Sequence, residues 1–237
     1  MIYMKQEVLQ RAEYRKPPLA DVSVLYGKHR GKIGVVVGSG PSSLEIDHAI
    51  LSNEDIVSVD INSELKKNKD KYIPDYWMMN DHQAMAAALE DPESYRSSSM
   101  PKVIVGESIW GDHRLGSFCN EFDLKEIYTY ISSDPRDGWD ARHLPISKTT
   151  AIPALFFLLM SGVSGVVLIG VDCCNDSGSI TIDRNQSSML KDFAMSSRMI
   201  RDNDFVDEIY QTSKRSPMSC FKKLGLKESI DKMRLSI

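Results

Sequence analysis

Ile33-Gly34-Val35-Val36-Val37-Gly38-Ser39-Gly40-Pro41-Ser42-Ser43 decides how this chain is read. Three consecutive valines are β-branched and predict a buried strand. The glycines permit a tight turn and let a ligand approach the backbone. Pro41, Ser42 and Ser43 suit the first turn of a helix, with hydroxyls and N–H groups free to meet a ligand. Strand, glycine turn and helix start together predict an anion site at residues 38–43, most often for a phosphate. The helix is expected from about Ser42 to Leu51.

Outward from this stretch the chain alternates. Strands are expected at Ile56 to Ile61, Tyr76 to Asn80, Lys102 to Val105, Glu126 to Ile131 and Val166 to Val171, with a short one near Phe205 to Tyr210. Thr149 to Ser161 is apolar nearly all round and predicts a buried helix, with Pro153 in its first turn. A second long helix is expected from Ser187 to Arg201. Alternating strands and helices predict an α/β domain with a doubly wound, mostly parallel sheet and helices on both faces. The domain is expected over residues 31–212. Residues 1–30 read as an irregular arm with a short helix around Gln6 to Tyr14, broken by Pro17-Pro18. Residues 213–237 read as a basic segment packed on the domain.

Composition narrows the class. The chain has 237 residues, 42% hydrophobic and 26% charged, as expected of one sizeable soluble domain. The apolar run Ala151 to Met160 is too short to span a bilayer, and the start lacks the apolar core of a signal peptide. A cytoplasmic protein is expected. Cys119, Cys173, Cys174 and Cys220 form no C-x-x-C, which argues against structural zinc. The pair Cys173-Cys174 reads as small core residues rather than a disulfide. Net charge is −4, yet residues 213–237 carry seven Lys or Arg against two acids. That segment is a candidate for covering an anionic ligand or for peripheral contact with a membrane surface, or is simply a solvated face. The acidic balance and the lack of a basic-aromatic pattern argue against nucleic acid.

Ligands of doubly wound sheets sit beyond the carboxyl ends of the strands. That rule gathers residues 38–43, Asp60, Asn62, Asp81 and Asp172 at one rim. Gly38-x-Gly40-x-x-Ser43 partly matches the dinucleotide fingerprint, and Asp60 lies where an acid would hold a ribose. NAD or S-adenosylmethionine is therefore one reading. Asp60-x-Asn62 would also suit Mg²⁺, or would simply cap a turn. Asp81 and His82 follow a strand and are candidate bases, although Asp81 equally suits a helix cap. His113 and His143 lie in polar loops and are further candidates. Ser147-Lys148-Thr149-Thr150 precedes the buried helix, as phosphate or ribose ligands or as caps.

Three ordered motifs, V-V-V-G-S-G-P-S-S-L (35–44), I-P-D-Y-W-M-M-N-D (73–81) and L-I-G-V-D (168–172), resemble the 6-hydroxymethylpterin diphosphokinase-like proteins. That family includes the motility-associated-factor glycosyltransferases. The same frame is similar to bacterial lipooligosaccharide sialyltransferases, which use CMP-sialic acid without a metal. The resemblance covers about residues 25–225 and implies a Rossmann-like sheet. It implies that Gly38, Ser39, Gly40, Pro41 and Ser42 line the nucleotide phosphate. Asn62 would lie near the nucleoside, Thr149 and Thr150 would contact the nucleotide, and Gly170 and Asp172 would border the base or ribose. The sialyltransferases carry a histidine after the Gly-x-Asp strand, whereas this chain has none after His143. Asp81 or His82 would then take the role of base.

The leading expectation is a transferase using a nucleotide-activated donor of the CMP-sugar type, acting on a glycan or small-molecule acceptor in surface-glycan synthesis. It requires no cofactor. The N–H groups near Gly40, with Thr149, Thr150, Lys214 or Arg215, would meet the charge of the leaving phosphate. A Mg²⁺-dependent ATP diphosphokinase for a hydroxymethylpterin is the alternative, with Asp60, Asp81 and Asp172 as metal carboxylates and Trp77 stacked on the pterin. A non-catalytic nucleotide-binding module, or an enzyme using NAD or S-adenosylmethionine, completes the alternatives.

Overall fold

The computed structural model describes residues 19–133, 143–173, 184–206 and 208–236. The helix expected around Gln6 to Tyr14 lies outside the described residues, as does Cys174. Ten strands are present among them: β1 Leu19–Asp21, β2 Ile33–Val37, β3 Ile56–Ile61, β4 Tyr76–Met79, β5 Lys102–Gly106, β6 Ile127–Ser133, β7 His143–Pro145, β8 Gly165–Ile169, β9 Ile209–Gln211 and β10 Lys222–Lys223. They are ordered β1-β6-β5-β4-β3-β2-β8-β9-β10, with β7 added on β6. Every pairing among the described strands is parallel. The expected strands all form, with ends shifted by a few residues, and β1, β7 and β10 are additions the sequence reading did not foresee.

The sheet is covered on both faces because successive side chains of a strand point to opposite sides. Val36, Val57, Val59, Tyr76, Met78 and Ile104 join one apolar layer with the helix Ala151–Met160. All ten residues of that helix are buried. Helix Arg184–Asp202 adds Phe193 and Ile200 to the same layer. On the other face, Trp77, Met79, Val103 and Val105 meet Leu65, Met85 and Phe118 from three short helices. Ile33, Val35, Val37, Val167 and Ile169 meet Leu226, Ile230 and Met233 of the closing helix Leu226–Arg234. The basic segment thus has an apolar stripe that docks on the sheet, while Lys214, Arg215, Lys222, Lys223 and Lys227 stay exposed.

One expected element is different. Instead of a helix from Ser42 to Leu51, the chain makes two short 3₁₀ turns, Pro41–Glu45 and His48–Ser52. Ser43 N–H bonds back to the Gly40 carbonyl at 3.0 Å, three residues away, which closes a 3₁₀ ring. Ile46 is extended, and Asp47 then caps the second turn through the Ala49 N–H at 3.0 Å.

The apolar helix Ala151–Met160 is what seals one face of the sheet. Phe156 is fully buried in it. Truncating Phe156→Ala is expected to cost about 3–5 kcal/mol, read from urea unfolding with an unchanged m-value.

Candidate functional site

β2 and β8 lie side by side, and the chain leaves them in opposite directions, β2 toward β3 and β8 toward β9. This is the switch point at which open parallel sheets take ligands. Val37 and Ile169 are register partners, so Gly38 and Gly170 emerge together. Gly170 has φ +63°, and a Cβ there would stand 2.0 Å from the Gly38 carbonyl oxygen. Only glycine fits such a contact. Gly38 N–H donates to the Ile169 carbonyl at 2.8 Å and Gly40 N–H to the Gly170 carbonyl at 2.7 Å.

Asp172 then clasps the loop. Its carboxylate accepts from Ser42 N–H at 2.7 Å and from the Ser42 hydroxyl at 2.6 Å. The Ser42 hydroxyl accepts in turn from Gly170 N–H at 2.9 Å. Both residues are buried. The N–H groups of Gly38, Gly40, Ser42 and Ser43 are therefore already bonded within the protein. This changes the reading of the loop. A phosphate cradle at 38–43 needs free donors, and here a carboxylate occupies the turn where an anion would sit. The expected role of the Gly40 N–H toward a leaving phosphate does not fit this geometry.

What the loop does build is a wall. Gly38, Ser39, Gly40, Asn62, Thr149, Gly170 and Asp172 line one cavity of about 310 Å³. Ile61, Ala151, Val171, Cys173, Gln186 and Met189 complete it. Asn62 has φ +50°, a conformation asparagine tolerates better than most residues. Its backbone is fixed on both sides, by its N–H on the Met78 carbonyl at 2.9 Å and by the Trp77 indole N–H on its own carbonyl at 2.6 Å. Trp77 is thus a buried structural group, fully covered and stacked on Tyr95. The Asn62 side-chain oxygen accepts from the Thr150 hydroxyl at 3.2 Å. Thr149 lies just before the apolar helix, whose N-cap is Thr150, and its hydroxyl accepts from Ala151 N–H at 3.2 Å. Asp192, on the helix Arg184–Asp202, fixes the preceding turn through Ser147 and the Lys148 N–H, both at 3.1 Å.

Other predicted residues stand elsewhere. Pro41, Ser42 and Thr150 support the wall without lining it. Asp60 is fully buried on the opposite face, where Tyr72 O–H and Asn68 Nδ2 donate to its carboxylate. Burial pushes its carboxyl up to about 7, against which these two donors act. It does not line the cavity. Asp81 caps the helix His82–Glu90, accepting from Gln83 N–H at 2.8 Å. His82 pairs with Asp112, which the sequence reading did not single out. His113 is almost fully exposed. Asp60, Asp81 and Asp172 thus do not converge, and among the described residues no group of three His, Cys, Asp or Glu could hold a metal. Among the described residues no helix is long and apolar enough to cross a membrane.

No protein-family model and no curated protein matches the chain. Among the solved structures that align with it are two of sialyltransferases. The sialyltransferase CstII from Campylobacter jejuni, in complex with the substrate analogue cytidine-5'-monophosphate, gives a TM-score of 0.47 at 13% identity, over 85% of this chain and 87% of that one. A single-residue variant of sialyltransferase CST-II, in complex with CMP, gives 0.46 at 13% identity, over 82% and 86% of the two chains.

Two substitutions probe these contacts. Asp172→Ala leaves the buried Ser42 N–H and hydroxyl without their acceptor, and is expected to destabilise the fold by about 2–5 kcal/mol in urea unfolding. Asp60 holds a proton in the fold that the unfolded chain releases above its ordinary value near 4. Stability therefore falls between about pH 4 and pH 7, by up to about 1.4 kcal/mol per unit. In Asp60→Asn, which keeps an oxygen for Tyr72, this fall is expected to disappear from the unfolding free energy measured against pH.

Proposed function

We propose that this chain is a transferase that uses a nucleotide-activated donor, a glycosyltransferase of the CMP-sugar type acting on a hydroxylated acceptor. The observation that carries the reading is the composition of the cavity at the switch point. It offers amides, hydroxyls, one carboxylate and glycine backbone, and no Lys, Arg or His lines it among the described residues. Such a wall suits the neutral, hydroxyl-rich nucleoside half of a donor. Asn62 supports this further, because its amide nitrogen has no acceptor among the described residues while its oxygen is held by Thr150.

The phosphate would then lie outside this wall. Lys67 donates to the Ser39 carbonyl at 3.4 Å, at the lip of the loop. Lys214 and Arg215 are exposed just beyond Thr212, whose hydroxyl stands 3.4 Å from that of Ser42. These cations would meet the charge that develops as the donor bond breaks. The ATP diphosphokinase alternative would need Mg²⁺ between phosphates, and the three carboxylates expected to hold it are engaged separately by Ser42, Gln83 and the Tyr72–Asn68 pair. They do not fit that ion.

Thermal unfolding with CMP, CDP, UDP, ATP, NAD and S-adenosylmethionine, each with and without Mg²⁺, tests the reading. A ligand of the folded state at a hundredfold excess over its Kd adds about 2.7 kcal/mol. CMP is expected to stabilise without Mg²⁺, and Asn62→Ala to weaken that binding by about threefold to tenfold in titration calorimetry. Stabilisation by ATP only with Mg²⁺, or by NAD or S-adenosylmethionine alone, would reject it.

A further inference from the structure

Two connections at the carboxyl edge of the sheet bring together side chains far apart in sequence. His82 opens the helix that follows β4, and Asp112 lies just beyond the helix Glu107–Trp110 that follows β5. β4 and β5 are parallel neighbours, so both residues stand on the edge that carries the cavity. His82 Nδ1 is 2.8 Å from Asp112 Oδ2. Arg114 grips the same carboxylate three times. Its backbone N–H donates at 2.8 Å, its Nε at 3.0 Å and its Nη2 at 2.7 Å. Those bonds hold the Asp112 carboxyl well below the usual carboxylate range.

The chemistry follows from donors and acceptors. An ionised carboxylate only accepts, so the neutral imidazole of His82 carries its proton on Nδ1 and leaves the Nε2 lone pair available. The imidazole is half exposed, open to an acceptor molecule. Asp112 is little exposed, as an orienting group should be. His113 also reaches Asp112, at 3.5 Å, but its ring is otherwise free in solvent and is not fixed. The rival base is Asp81, whose carboxylate is engaged as a helix cap.

We propose that His82 is the general base of the transfer and that Asp112, gripped by Arg114, is the positioning residue that sets its tautomer. The inference rests on the donor-transfer reading above. In the step, the acceptor hydroxyl gives its proton to His82 Nε2 while its oxygen bonds to the anomeric carbon of the donor. The bond from that carbon to the phosphate oxygen breaks, and its electron pair leaves with the nucleotide. The imidazolium, steadied by the Asp112 carboxylate, returns the proton to water.

Two measurements on the full chain decide the matter. ¹⁵N-histidine NMR of the ligand-free protein is expected to show neutral His82 as the Nδ1–H tautomer, and Asp112→Asn to scramble it. CMP release from CMP-sialic acid, used as the probe with a panel of hydroxylated acceptors, is expected to fall about 10²–10⁴-fold in His82→Ala and at least tenfold in Asp112→Asn. The donor KM should hold in both. A merely structural tie between the two helices would leave kcat near wild type in a folded Asp112→Asn. An Nε2–H tautomer in the wild type, or an Asp112→Asn rate within twofold of wild type, overturns the proposal. A wild-type protein that binds CMP but turns over no probe rejects the transfer reading with this donor, and the tautomer then decides the pairing by itself.

Discussion

The carboxylate of Asp172 on Ser42, joining segments 130 residues apart, is the constraint on which the rest of the site depends. It ties the turn after β2 to the turn after β8 at the point where the strand order reverses. Buried charge without partners is costly, and this one is matched by a backbone N–H and a hydroxyl. The hydroxyl in turn accepts from Gly170 N–H, so one acid fixes two backbone N–H groups, of Ser42 directly and of Gly170 through the hydroxyl. The glycines at 38, 40 and 170 are demanded by the same closeness. A Cβ on Gly40 would stand 2.6 Å from Asp172 Oδ2. The loop is rigid because it is bonded to itself and to its neighbour, and for that reason it is a wall and not a cradle.

This inverts the electrostatics that the loop's composition suggests. A glycine turn before a helix ordinarily presents free N–H groups and a positive dipole end. Here the turn is a five-residue 3₁₀ segment with its donors engaged and a negative group beside them. Hydroxyls and amides line such a wall, and Lys67 stands at its lip on the Ser39 carbonyl. Asn62 follows β3, His82 follows the neighbouring β4, and Asp112 follows β5 one strand further along the same sheet edge. The cavity wall and the His82–Asp112 pair are thus held by different connections of one sheet edge, which lets each be rigid in its own way.

The longer strands were legible as short apolar runs rich in β-branched or aromatic residues, and Val35 to Val37 needed nothing else, whereas β1, β7 and β10 are two or three residues long and carry no such pattern. The turns Pro41–Glu45 and His48–Ser52 were not, because the group that shapes the first lies at Asp172. Asp60 misled through its spacing from Gly38. Strand alternation already separated it from Val57, Val59 and Ile61, and its burial with Tyr72 follows from that parity. The closing helix was present in the spacing of Leu226, Ile230 and Met233, hidden beneath a reading of charge alone. Asp112, Asp192 and Gln186 carried no local pattern. His82 reaches Asp112 across 30 residues, Ser147 reaches Asp192 across 45, and Gln186 comes to the cavity, all by packing alone.

The central place of β2 has a consequence for how the chain reaches this state. One edge of β2 pairs with β3, a short distance on in sequence, while the other waits for Gly165–Ile169 of β8. During synthesis the Ile33–Val37 strand therefore exposes an open, apolar edge while more than half of the chain is made. Such an edge is a template for pairing with the same strand of another molecule. The cavity wall cannot close until β8 docks, so it is among the last features to form, and the late partner that completes it also removes the hazard. Chains cut short before β8 would keep an adhesive strand and have no cavity.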